Sequence, residues 1–184
     1  VLPAGSSARK TMLRRALLAA RGALDPAVKA EWDGLIVARV VAWWRAHRAA
    51  ALGVYWPLRG EPDLSAAYAE LAELGVQLAL PVVVARDAAL GFSAWTPGEA
   101  MRKDSLGVAV PAVLRPMARP PALLVPCLGF NIQGYRLGYG GGFYDRTLEQ
   151  APRPLTLGIA YAMGAVVFDS DAHDVALDDI ITEA

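Results

Sequence analysis

The stretch Gly134-Tyr-Arg-Leu-Gly-Tyr-Gly-Gly-Gly-Phe-Tyr-Asp-Arg146 decides how the rest of this 184-residue chain is read. Its glycines free the backbone to take positive φ angles and to approach a ligand without Cβ atoms in the way. The apolar run Ala122-Leu-Leu-Val125 before it has the composition of a buried strand, and Phe143, Tyr144, Asp145, Arg146 and Leu148 after it suit the opening of a helix. Strand, glycine loop and helix N-terminus together present backbone N–H groups and a positive dipole end, which is a phosphate-binding arrangement. The spelling excludes two nucleotide loops. Phe143 stands where a Walker A loop needs Lys and where G-x-G-x-x-G, begun at Gly138, needs a third glycine. A plain glycine-rich turn is the alternative. Arg136, Asp145 and Arg146 weigh against it.

Working outward, Leu52-Gly-Val-Tyr-Trp56 reads as a buried strand, Leu64 to Leu74 as a helix capped by Asp63 or Ser65 and closed by Gly75, and Val76-Gln-Leu-Ala-Leu80 as the next strand. Strand, helix, strand implies a parallel pair. Ligands of open α/β sheets collect beyond the carboxyl ends of strands, and Trp56 and Glu61 follow the first strand there; a solvated glutamate is the bland alternative. Residues 90–95 form a further extended piece, in which Phe92 and Trp95 could wall a heterocycle or cover core, and Thr96 to Val110 reads as a long loop. Leu155 to Ala160 is another strand, and a short acidic link after His173 leads to a last one.

Near the N-terminus, Met12, Leu13, Ala16, Leu17 and Ala20 recur at helical spacing, which predicts an amphipathic helix over Arg9 to Arg21 with this stripe buried. Lys10 and Arg14 lie four apart on one side, able to meet one polyphosphate or merely to form a solvated basic flank. Asp25-Pro26 starts a second helix that runs to about His47, with Trp43 and Trp44 as packing residues.

Eighteen basic and eighteen acidic residues balance, so no charge field recommends nucleic acid as a partner. One cysteine, Cys127, allows no internal disulfide, and His47 and His173 are too far apart in sequence to suggest a metal cluster. The apolar runs are too short to span a bilayer and no leader-like run opens the sequence. A single domain over residues 1–184, cytoplasmic and monomeric, is the expectation.

The loop from Arg136 to Arg146 resembles the signature of the 5-formyltetrahydrofolate cyclo-ligases, also called 5,10-methenyltetrahydrofolate synthetases. Further matches follow in the family's order: Lys10-x-x-x-Arg14, Tyr55-x-Pro57-x-x-x-Glu61, Leu80-Pro81, Phe92-x-x-Trp95, Gly107, Pro111, His173-Asp174 and Ile181-Thr182-Glu183. The resemblance implies a three-layer α/β/α sandwich with a mostly parallel central sheet. It also implies an enzyme that uses ATP and magnesium to close 5-formyltetrahydrofolate into 5,10-methenyltetrahydrofolate. Carried over position by position, Lys10, Arg14, Arg136, Leu137, Gly138, Tyr139, Gly140, Gly141, Gly142, Phe143 and Tyr144 would hold ATP. Trp56, Glu61, Tyr139, Gly140, Gly141, Gly142 and Phe143 would meet the folate, and Asp145 and Asp174 would hold Mg2+. Lys10, Arg136 and Asp145 would carry the chemistry. This sequence departs from the family's usual residues at Phe143 (tyrosine), Asn131 (aspartate) and Val110 (glutamate). A sugar-phosphate isomerase or coenzyme A transferase on a similar sheet, or a non-catalytic nucleotide- or folate-binding module, would have no need to keep Lys10, Arg14 and Asp145 together.

Overall fold

The structure, a computed structural model, describes residues 5–184. Its centre is a seven-stranded sheet in the order β11-β10-β7-β1-β2-β3-β6. The strands are β1 (Ala51–Gly53), β2 (Gln77–Val82), β3 (Gly91–Trp95), β6 (Pro116–Met117), β7 (Ala122–Pro126), β10 (Leu155–Ile159) and β11 (Asp179–Ile181). Five neighbouring strands, from β11 to β2, are parallel, while β3 runs antiparallel to both β2 and β6. The expected strand, helix, strand unit is therefore present as β1, α3 (Ser65–Glu73) and β2. Gly53 is required by close approach: a Cβ there would lie 2.4 Å from Leu123 Cδ2 on the neighbouring strand.

Alternate residues of the central strands serve opposite faces. Leu52, Leu78, Leu80, Leu124, Leu157 and Ile159 pack with Ile36, Val40, Trp43 and Trp44 of α2 (Pro26–His47) and with Tyr68 and Leu71 of α3. Burying each such side chain stabilises the fold by roughly 1.5–3 kcal/mol. On the other face Ala79, Leu123 and Val125 pack with Leu148 of α4 (Phe143–Glu149) and with Leu177. This is the α/β/α layering, with the outer layer on the α4 side reduced to two turns of helix and a loop. Asp25 caps α2 by accepting from Ala27 N at 2.8 Å, as Asp25-Pro26 foretold.

Three expectations need correction. Thr96 to Val110 is not a plain loop: β4 (Met101–Lys103) and β5 (Ala109–Pro111) form a hairpin whose tip is held by Asp104 Oδ1, which accepts from Leu106 N and Val108 N at 2.9 Å each. Three-residue strands carrying Arg102 and Lys103 offer no apolar run to detect. The strand expected over Leu52 to Trp56 ends at Gly53. The stripe of Met12, Leu13, Ala16, Leu17 and Ala20 on α1 (Ser6–Gly22) is buried only in part: Leu17 is buried and Leu13 half-buried, Met12 is 73 % exposed, and the other buried residues on the inner face are Lys10 and Arg21. That face lies against Leu128, Leu137 and Phe168, and it is charged because of what it borders.

Candidate active site

Because β1, β2, β7 and β10 are parallel, the segments that follow them leave from one edge of the sheet. A cleft of about 650 Å³ opens there, a volume suited to a sizeable small molecule. One side of it is the glycine loop. A short hairpin, β8 (Gly129–Phe130) and β9 (Arg136–Leu137), interrupts the run from β7 and delivers the loop into α4. Gly140 and Gly142 take φ of +96° and +71°, values that a Cβ would strain. Gly142 is the residue from which α4 starts.

Every residue assigned to the site from the sequence lines this cleft. Lys10, Arg14, Trp56, Glu61, Leu137, Tyr139, Phe143 and Asp174 do so with Arg136, Gly138, Gly140, Gly141, Gly142, Tyr144 and Asp145. Arg14 Nε donates to the carbonyl of Gly138 at 2.7 Å, so the basic side of α1 faces the loop rather than solvent. Lys10 is buried, and its ammonium donates to Asp171 at 2.7 Å and to Asp174 at 3.3 Å. Burial disfavours that charge, but the two carboxylates outweigh burial and hold the Lys10 pKa above the usual lysine value. Arg136 donates to the carbonyl of Pro126 through Nε at 3.2 Å and Nη2 at 3.0 Å, with its guanidinium 5.0 Å from the Tyr144 ring centre.

Glu61 is 3 % exposed, which disposes of the solvated-loop alternative. Its Oε1 accepts from Leu58 N at 2.8 Å. Burial pushes its pKa up, against the pull of that hydrogen bond and of Arg21 and Arg136. Trp56 is partly exposed at the cleft and meets Trp95 edge-on at 6.1 Å between ring centres. Phe92 and Trp95 themselves are buried, so the core reading holds for them. Asp145 Oδ1 accepts from Val175 N at 3.3 Å, and burial raises its pKa while Arg136 opposes the rise. Leu58, Pro81, Val83, Leu90 and Val108 give the cleft an apolar part of its lining. Cys127 beneath the site is buried with its thiol pKa pushed up to about 11 by burial, so it is a packing residue and no nucleophile at neutral pH.

The family model of the 5-formyltetrahydrofolate cyclo-ligase family matches residues 6–183. The chain belongs to the 5-formyltetrahydrofolate cyclo-ligase family. It is 31 % identical to the 5-formyltetrahydrofolate cyclo-ligase of Mycolicibacterium smegmatis, the match covering 94 % of this chain and 93 % of that one. It is 27 % identical to the protein of the same name from Escherichia coli, over 88 % of this chain and 93 % of that one. Among solved structures, a 5,10-methenyltetrahydrofolate synthetase from Mycoplasma pneumoniae superposes with a TM-score of 0.79 at 27 % identity, over 95 % of this chain and 99 % of that one. These relatives are named for a ligase activity, and this cyclo-ligase family member is an enzyme.

The departures from the family's usual residues fall into two groups. Phe143 lines the cleft with a ring and no hydroxyl. Asn131 and Val110 are buried and do not line it. Asn131 Nδ2 donates to the carbonyl of Phe168 at 3.1 Å while its Oδ1 accepts from Tyr135 N at 3.0 Å, a pairing in which an aspartate could make only the second bond. Sequence reasoning missed Asp171, the nearer partner of Lys10, and Arg21, which is buried and donates to the phenol oxygen of Tyr139 at 2.5 Å. A signal for Arg21 was available: residues 10, 14, 17 and 21 share one helix face. None distinguished Asp171 from its acidic neighbours.

Proposed function

We propose that this enzyme converts 5-formyltetrahydrofolate to 5,10-methenyltetrahydrofolate with consumption of ATP and release of ADP and phosphate. The observation that carries this reading is that one cleft is lined by cations, the glycine loop and two carboxylates together with Trp56, Glu61 and apolar side chains. A formamide oxygen is a poor leaving group. Transfer of the γ-phosphoryl group to that oxygen releases ADP. Attack of the folate's N10 on the formyl carbon then closes the ring, N10 gives up its proton, and phosphate departs with the former formyl oxygen. Chemistry of this kind asks the protein for position, charge and exclusion of water, and not for a nucleophile.

In this reading Lys10, Arg14 and Arg136, with the loop amides from Leu137 to Tyr144, orient the triphosphate. Trp56, Glu61, Tyr139 and Phe143, with Gly140, Gly141 and Gly142, contact the folate. Among the described residues no group of three or more His, Cys, Asp or Glu side chains is arranged to hold a metal by itself. Asp145 and Asp174 line one side of the cleft, and one or two carboxylates completed by phosphate oxygens and water fit magnesium. When bound, Mg2+ would offset charge on the phosphates. The substrates are small molecules, and we read the chain as a single cytoplasmic domain acting as a monomer; among the described residues no helix is long and apolar enough to cross a membrane.

Mixing the protein with ATP, magnesium and 5-formyltetrahydrofolate should develop methenyl absorbance, and omission of ATP should abolish it. Absorbance that never appears in the complete mixture would overturn the reading. The metal assignment has its own test. Asp145→Asn is expected to lower turnover sharply and to shift the magnesium requirement upward, and an unchanged magnesium titration would remove Asp145 from the site.

A further inference from the structure

Arg21 is 4 % exposed, and among the described residues no carboxylate lies within salt-bridge distance of it, although its charge reaches Glu61 and opposes the rise of that pKa. A buried cation left without a salt bridge costs stability, so its neighbours should reveal what it is for. Arg21 reaches two segments that the chain separates widely. Its Nε donates to the carbonyl of Arg59 at 3.0 Å, and its Nη2 donates to the hydroxyl of Tyr139 at 2.5 Å. The first contact sits in the loop that ends in Glu61; the second sits in the glycine loop.

Both contacts are built rather than incidental. Arg59 and Gly60 are consecutive residues with left-handed φ, +49° and +76°, and the turn they make packs on the Arg21 side chain, 3.6 Å from its Cγ to where a Gly60 Cβ would lie. An L-residue such as Arg59 adopts that conformation only where its surroundings enforce it. The turn is closed by Glu61 N donating to Leu58 O at 2.9 Å, and Glu61 Oε1 accepts from Leu58 N. The Arg59 guanidinium lies 5.0 Å from the Tyr139 ring centre, so the same tyrosine is gripped at its hydroxyl by Arg21 and over its face by Arg59.

We propose that Arg21 is a positioning residue that joins the folate-side loop to the glycine loop, so that filling one half of the cleft prepares the other. The proposal rests on the assignment of folate to the Glu61 side and of phosphates to the glycine-loop amides, the Tyr139 amide among them, so that Tyr139 is the residue both ligands would share, its ring meeting the folate. A ligand that orders Tyr139 fixes the Arg21 guanidinium and, through the Arg59 carbonyl, the turn that carries Glu61. The second ligand then meets a loop whose ordering has already been done, which is positive coupling without a large movement. Glu61 and Tyr139 touch ligand; Arg21 acts through them.

Titration calorimetry with two probes tests this: 5-formyltetrahydrofolate, and the non-hydrolysable β,γ-imido analogue of ATP with magnesium. In the unaltered protein, saturating analogue should tighten folate binding by about fivefold or more, within the usual range for coupled sites. In Arg21→Lys, which keeps the charge but lacks the fork that spans both partners, that ratio should fall close to one, with each ligand still binding alone. Tyr139→Phe removes only the phenol oxygen and should lower the ratio in the same direction, which keeps the test intact if Arg21→Lys folds poorly. Undiminished coupling in these variants, or an unaltered protein that binds both probes with no coupling, overturns the proposal. An unaltered protein that binds neither probe overturns the function proposed above, and this inference with it.

Discussion

The first two helices lie next to each other in sequence and bury opposite chemistries. Helix α2 puts Ile36, Val40, Trp43 and Trp44 into the core, while α1 buries Lys10 and Arg21 around a single buried leucine, Leu17. Burial of the first kind stabilises the fold. Burial of the second kind is unfavourable unless partners are supplied, and α1 draws them from the cleft: carboxylates at Lys10, a loop carbonyl at Arg14, a carbonyl and a phenol at Arg21. One helix holds the protein together and its neighbour equips the site.

Four substitutions separate these roles, taken from the largest expected effect. Ile36→Ala in α2 should cost about 2–5 kcal/mol, read as a lower midpoint in denaturant unfolding, with the ATP requirement of the folded protein unchanged. Lys10→Ala in α1 should do the reverse: loss of a charge-assisted contact to phosphate, about 1.5–3 kcal/mol, raises the apparent ATP requirement, and the unfolding midpoint moves far less than for Ile36→Ala. An Ile36→Ala protein with normal stability, or a Lys10→Ala protein with a normal ATP requirement, would break the contrast.

Glu61→Gln sharpens it across the cleft. Below the ordinary carboxylate range Glu61 is protonated whether the chain is folded or not, so the two proteins should be equally stable. As pH rises through its elevated pKa, the folded state must hold a buried carboxylate, and stability falls. At neutral pH Glu61→Gln should therefore be the more stable protein and the weaker folate binder, with ATP binding little altered. Thermal melts at acidic and neutral pH, with calorimetry for each ligand, check both halves. Smallest of all, Met12→Ala on the exposed side of α1 should lie within about 0.5 kcal/mol of the unaltered protein in stability; a larger loss would return the apolar stripe to the core.

The same contrast explains what could be read from the sequence. Apolar runs at Leu78 to Leu80 and Ala122 to Val125, and the mostly apolar Leu155 to Ile159 with Thr156 in it, marked central strands because a parallel sheet buried on both faces needs little else. The glycine loop announced itself because its backbone geometry demands glycine. Helix α1 was placed correctly, but its apolar pattern marked only Leu13 and Leu17 of the inner face, since such patterning assumes that charges face water, and here Lys10 and Arg21 are buried beside the site. Asp171 escaped notice for a related reason: it comes close to Lys10 only through folding of residues 161 positions apart.

The pairing of Lys10 with Asp171 and Asp174 has a consequence for how a polyphosphate would enter. Lys10 already carries its own counter-ions, so a phosphate group bound as proposed would exchange anions on Lys10 and would not neutralise a bare cation. Asp171, mostly exposed at its side chain, would return to water at little cost, and Asp174 would be freed for the proposed magnesium. Binding by such an exchange would neutralise less net charge than a count of Lys10, Arg14 and Arg136 suggests, and its dependence on ionic strength would be correspondingly shallow.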